Sequence, residues 1–295
     1  MALCSAAVPR LTLVAGVVAV SFAALFVRLA APASGLAVAA GRLAIAAALL
    51  TAWSPRALAR WWALPARERG LVALSGVCLG AHFGTWIESL YLTSTASSVT
   101  LVALQPVFAA ALGHWLLRER VGAREAAGIA IAVAGTAIVA GGDWRADPRA
   151  LAGDALALAG AALAAAYYIV GRRMRVAMDL VPYLAVVNLF GAGVLALAAA
   201  VAGVRITGFA WHVYAAIAGA AVVCSTFGHT LLNVSVRRAP AHLVSLAILG
   251  EPVGAALLTW IVVGETPPAL AAAGGAVVLA GIAVGFSGRG AAPTA

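Results

Sequence analysis

Glu251 stands directly before Pro252 in an otherwise apolar stretch, and Gln105 stands directly before Pro106 in another. A carboxylate in such a place suits cation binding or proton carriage. The neighbouring proline removes a backbone donor and tends to kink a helix, which leaves carbonyls unpaired in a cavity wall. The competing reading of Glu251 is a protonated or Arg-paired structural group. Intramembrane ionisable groups favour the functional one. Gln105 is neutral, so a site built from the two would be asymmetric in charge.

His82, Trp86 and Ser89 follow one another at i, i+4 and i+7, which puts them on one helix face. Trp86 would offer a ring to an aromatic or cationic ligand. His229 occupies nearly the equivalent place in the second half of the chain. Both histidines read equally well as hydrogen-bonding glue between helices. Arg42 either attracts a ligand carboxylate or pairs with Glu251, or it holds the helices together through backbone carbonyls. Its long side chain can snorkel, which favours the last of these. Asn233, Tyr167 and Tyr168 fall towards helix ends; Asn233 is kept as a ligand contact and the tyrosines read as interfacial belt. Trp61, Trp62 and Trp211 read the same way, and Glu88 reads as a solvated interfacial group. Glu119 and Glu265 each precede a helix, where an acidic group fits the N-terminal dipole, so both read as structural pins.

These side chains need elements to hold them, and composition says what kind. Of 295 residues 64% are hydrophobic and 10% charged. A soluble domain is nearer half apolar and a quarter charged. Lipid is therefore the expected solvent, and spans of about 20 apolar residues the expected element. Ten are predicted: Leu11–Leu29, Gly35–Trp53, Gly70–Leu92, Ser98–Leu117, Ala123–Gly141, Ala152–Gly171, Pro182–Gly203, His212–Ser235, Leu243–Val263 and Leu270–Phe286. The first is a poor signal peptide, because Arg28 interrupts the approach to Ala31-Pro32-Ala33.

The formal charge of +9 comes from 19 arginines and no lysine. They are not clustered on one amphipathic segment, so a nucleic-acid partner is not expected. With the N-terminus inside, alternate loops hold 14 arginines on the inner side and four on the outer, with Arg42 alone in a span. That bias predicts cytoplasmic termini in a plasma membrane. The three cysteines show neither a disulfide framework nor a metal spacing.

A repeat underlies the ten spans. Pro106 precedes Glu119 by 13 residues, as Pro252 precedes Glu265, and the copies are offset by 146. Ala109-Ala110 matches Ala255-Ala256 and Cys78 matches Cys224 at the same offset. Leu36-Ala37-Val38 aligns with Leu184-Ala185-Val186 at a slightly different one. The predicted halves are residues 1–146 and 147–295, with five spans each. Five is odd, so the second copy enters the membrane from the opposite side. Inverted repeats of this kind belong to many secondary transporters.

The paired Pro…Glu signature resembles that of the drug/metabolite transporter superfamily, in its EamA-type branch. Gly153-Asp154, Arg42, His82-Phe83 with Trp86, and Gly228-His229 with Asn233 share the resemblance, which covers essentially the whole chain. It implies ten helices, cytoplasmic termini and a central cavity lined by helices 1, 3, 4, 6, 8 and 9. It does not imply one cargo, because the family's range runs from amino acids to cationic drugs.

The expected function is alternating-access export of a small amino-acid-like metabolite or a drug-like compound. Exchange or a proton gradient through Glu251 would drive it, in a monomer or weak homodimer with no cofactor. A receptor or structural membrane protein is the alternative. An intramembrane enzyme is disfavoured: there is no His-Glu-x-x-His, no Gly-x-Ser-x-Gly and no aspartate pair within a predicted span.

Overall fold

The computed structural model describes residues 2–117, 122–174, 177–236 and 250–286. Every element among them is helical. This follows from the solvent: lipid offers backbone groups no hydrogen bonds, so an apolar segment must satisfy them internally.

The chain begins with α1 (Ala2–Leu29) and α2 (Gly35–Trp53), followed by a short α3 (Ala57–Trp62) and the long α4 (Ala66–Leu92). Next come α5 (Thr95–Val102), α6 (Gln105–Leu117), α7 (Ala123–Ala146), α8 (Ala150–Met174) and α9 (Leu180–Val201). The C-terminal part holds α10 (Trp211–Gly219), a π-helical segment (Ala220–Gly228) and α11 (His229–Val236), then α12 (Gly250–Val263) and α13 (Ala269–Phe286). Ser34 and Ser94 cap α2 and α5, each side chain accepting an amide hydrogen, from Ala37 and Ser97.

Among the described residues, eight helical stretches are long and apolar enough to cross a membrane, and Gly250–Val263 and Ala269–Gly285 are shorter apolar helices. The start expected for the ninth span, Leu243, lies outside the described residues.

Two spans depart from a regular α-helix, the first of them at a proline expected to kink it. The fourth breaks between α5 and α6, because Pro106 has no amide hydrogen to continue the ladder. Ala103 and Leu104 close the gap with tighter turns, Leu104 N donating to Leu101 O at 3.2 Å. The eighth changes pitch over the nine residues of the π-helical segment. No proline marks this change, and it was not legible in the sequence.

Close packing follows the glycines. A methyl on Gly80 would lie 2.7 Å from the Gly191 carbonyl oxygen, so α4 and α9 meet backbone to backbone. A second seam joins α7 to α13, where a methyl on Gly135 would lie 2.6 Å from the Val278 nitrogen. The fifth and tenth predicted spans thus pair with each other across the two halves. The main core runs through α1, α2, α4 and α9, with Val27, Val38, Leu43, Ile87 and Val187 fully buried. Within it the Tyr183 and Ser75 hydroxyls are bonded at 2.5 Å.

Candidate functional site

A cavity of about 190 Å³ lies among the helices and draws its wall from both halves of the chain. The two proline-containing segments reach it from opposite sides of the sequence. Gln105 and Pro106 line it where α5 gives way to α6, and Glu251 and Pro252 line it at the start of α12. Gly254 sets α12 close to α1: a methyl there would fall 2.5 Å from Ser21 Oγ.

Arg42 is 1% exposed, and its guanidinium is held on three sides. Its Nε donates to Ser225 Oγ at 2.7 Å. Its Cζ sits 4.3 Å from the Phe83 ring centroid and 5.8 Å from that of Trp86. A planar delocalised cation suits such ring faces. Nη1 is buried and has no hydrogen-bond partner. Backbone carbonyls were expected to hold this arginine; a hydroxyl and two aromatic faces do so instead. Glu251 lines the same cavity, close enough for each charge to influence the other. Arg42 nevertheless donates to Ser225, and Glu251 is a separate part of the cavity wall.

His82 Nδ1–H donates to the Gly160 carbonyl at 2.9 Å, which fixes the proton on that nitrogen. Gly160 lets α8 approach this face; a methyl there would meet Thr85 Oγ1 at 3.2 Å. The His82 and Trp86 rings are parallel within 3°, one helical turn apart. Both line the cavity, and Trp86 Nε1 is buried without a partner. Ser89, on the same predicted face, turns away and bonds Ser98 Oγ at 2.6 Å. His229 lines the cavity just after the π-helical segment that carries Ser225. Asn233 belongs to α11, and its side chain lies outside the described residues, as does all of Glu119.

Glu265 lies outside the cavity wall. Its carboxylate takes hydrogen bonds from Thr95 N at 2.5 Å, Thr95 Oγ1 at 2.8 Å and Arg28 Nη2 at 2.9 Å. Arg28 also donates to the carbonyls of Leu90 and Thr93. Glu265 therefore ties the α12–α13 turn to the ends of α1 and α4 and the start of α5. That is a longer reach than the pin of its own hairpin expected from the dipole.

Four cavity residues escaped the sequence-based reading of the site. Tyr167 and Tyr168 line it, although depth along the helix suggested an interfacial belt. Asn188 lines it too, with its amide donating to the Leu184 carbonyl at 2.8 Å. A lone asparagine inside an apolar span was the available signal. Ser225 had none, because its placement depends on the π-helical pitch. The wall also takes residues from the second, seventh and tenth predicted spans, which the resemblance did not include. Among the described residues no group of three or more His, Cys, Asp or Glu could hold a metal ion.

Known proteins bear on this arrangement in three ways. The sequence pattern of the EamA-like transporter family matches residues 10–141 and, a second time, residues 151–286. No curated protein matches the sequence. A solved structure described only as "Crystal structure of protein" superposes with a TM-score of 0.65 at 20% identity, covering 94% of this chain and 96% of that one. At that identity the likeness concerns the fold alone.

Proposed function

Because the chain belongs to the EamA-like transporter family, we propose that it is a secondary transporter that exports a small amino-acid-like metabolite by alternating access. The family's members are transporters of small molecules, and the apolar helices make this chain a multi-pass membrane protein.

We read the architecture as ten spans in two inverted repeats, residues 1–146 and 147–295. The double family match, the paired Pro…Glu spacing and the 14-to-four arginine bias support this reading. The bias puts both termini in the cytoplasm and the Arg28–Glu265 cluster at the external end. The protein then acts as a monomer or weak homodimer in the cytoplasmic membrane, with no cofactor.

One observation carries the choice of cargo. The buried Arg42 guanidinium leaves Nη1 without a partner in a cavity that also holds Glu251. A buried unpaired donor is costly, and a carboxylate is its best acceptor. Glu251 then takes the cargo's ammonium group, or a proton when no cargo is bound. Trp86, His82 and Phe83 supply ring surface for an apolar side chain. Gln105, His229 and Asn233 complete the set of contacts we assign to the cargo. The volume of about 190 Å³ suits a small metabolite; drug-sized ligands occupy roughly 300–1,000 Å³.

The test is uptake into inside-out vesicles of a panel of amino acids and organic cations. We expect amino acids to accumulate, and Arg42→Ala to abolish that accumulation. Uptake confined to organic cations, or unaffected by Arg42→Ala, would overturn the assignment.

A further inference from the structure

Asp143, in the last turn of α7, and Asp154, in the second turn of α8, meet away from the central cavity. Both are buried, at 4% and 3% exposure. A single hydroxyl serves both. Thr93 Oγ1 lies 3.1 Å from Asp143 Oδ2 and 3.1 Å from Asp154 Oδ1. Thr93 thus holds the two carboxyl groups side by side. Gly153 makes this approach possible: a methyl there would fall 2.9 Å from the backbone nitrogen and Cβ of Thr93.

A threonine hydroxyl has one proton and donates to one acceptor at a time. Two buried carboxylates cannot both be satisfied by it. Asp154 Oδ2 is fully buried and has no partner. No basic side chain among the described residues donates to either carboxylate. Arg28, which reaches the Thr93 carbonyl, is committed to Leu90, Thr95 and Glu265. Arg145, Asp147 and Arg149 are exposed, and Asp147 accepts from the Arg149 amide. On α4, Glu88 and Tyr91 are partly buried; Tyr91 donates to the Val27 carbonyl. From α13, Leu270 presents only an apolar side chain to Gly142.

We propose that Asp143 and Asp154 form a cation site whose occupant is one proton held between the two carboxyl groups. Two like charges in a shared dry site do not both ionise. A proton shared by the pair gives Asp154 Oδ2 the donor it lacks. Thr93 and the two carboxyl groups offer at most five oxygens, whereas a calcium or magnesium ion takes six or more. The site is separate from Glu251. It adjoins the Thr93–Thr95 segment that Arg28 and Glu265 grip, so its occupancy bears on that cluster.

Infrared spectroscopy of the reconstituted protein tests this without any transported compound, so its outcome is independent of the transport reading. In a Glu251→Gln background at neutral pH we expect a carboxylic-acid C=O band from the pair. Asp154→Asn and Asp143→Asn should each remove it, because the remaining carboxylate then ionises with an amide donor beside it. If Asp154→Asn fails to fold, Asp143→Asn reads the same band. A band that persists unchanged in the variants would overturn the proposal. So would the absence of the band in the parent together with thermal stabilisation by sodium that either variant removes, which would assign the site to a metal cation.

Discussion

Arg28 Nε lies 2.9 Å from Glu265 Oε2, across 237 residues of sequence. The arginine ends α1 in the first family match, and the glutamate precedes α13 in the second. Both side chains are mostly buried, at 19% and 23% exposure. Thr95 donates twice to the same carboxylate. If this end of the bundle must open during transport, these bonds must break and re-form.

Reversing the pair tests its role. Arg28→Glu and Glu265→Arg should each lower stability by about 1–3 kcal/mol, the range for a partly buried hydrogen bond to a charged group. The double reversal should recover part of that loss. Thermal unfolding of the four proteins in detergent, arranged as a double-mutant cycle, measures the coupling.

Arg42→Lys keeps the charge but loses the flat surface that lies on Phe83 and Trp86. We expect transport affinity to fall about tenfold, equivalent to about 1.4 kcal/mol, while the protein still folds. Ser225→Ala should produce a smaller loss in the same direction, since it removes one bond to Nε. Concentration dependence of vesicle uptake reports both.

Glu251→Gln removes the ionisable carboxyl from α12 without changing its shape. Transport should be abolished while expression stays intact. Any substrate-driven proton flux should disappear with it, as read by a pH-sensitive dye in vesicles. Full activity in the variant would remove Glu251 from the mechanism.

Two glycines one turn apart on α4 should behave differently. Alanine at Gly80 would press on the Gly191 backbone at 2.7 Å, where neither helix can give way. Overpacking of this kind costs about 1–3 kcal/mol. Alanine at Gly84 would meet one flexible Leu195 methyl at 3.0 Å. Folding yield and melting temperature should drop for Gly80→Ala and change little for Gly84→Ala.

Much of the site's membership was readable, but its arrangement was not. Glu251, Gln105, His82, Trp86, His229 and Arg42 drew notice as polar groups in apolar stretches, and all six line one cavity. Their identity needed only the cost of polarity in lipid. Tyr167 and Tyr168 were misread because depth along a helix was taken as a guide to environment. Depth says nothing about which way a side chain faces, and these two face the cavity wall.

By itself, the sequence determined the helical membrane class and the family. Hydropathy is a local property of each segment, and the spacing from Pro106 to Glu119 recurs from Pro252 to Glu265 whatever the packing. The tertiary structure alone decided which faces meet. The π-helical segment changes the pitch ahead of His229 and brings Ser225 to Arg42. Thr93 gathers Asp143 and Asp154 from helices that no periodicity relates. Helix azimuth is set by how side chains and glycine seams interlock between segments, and that information is not carried by any one of them.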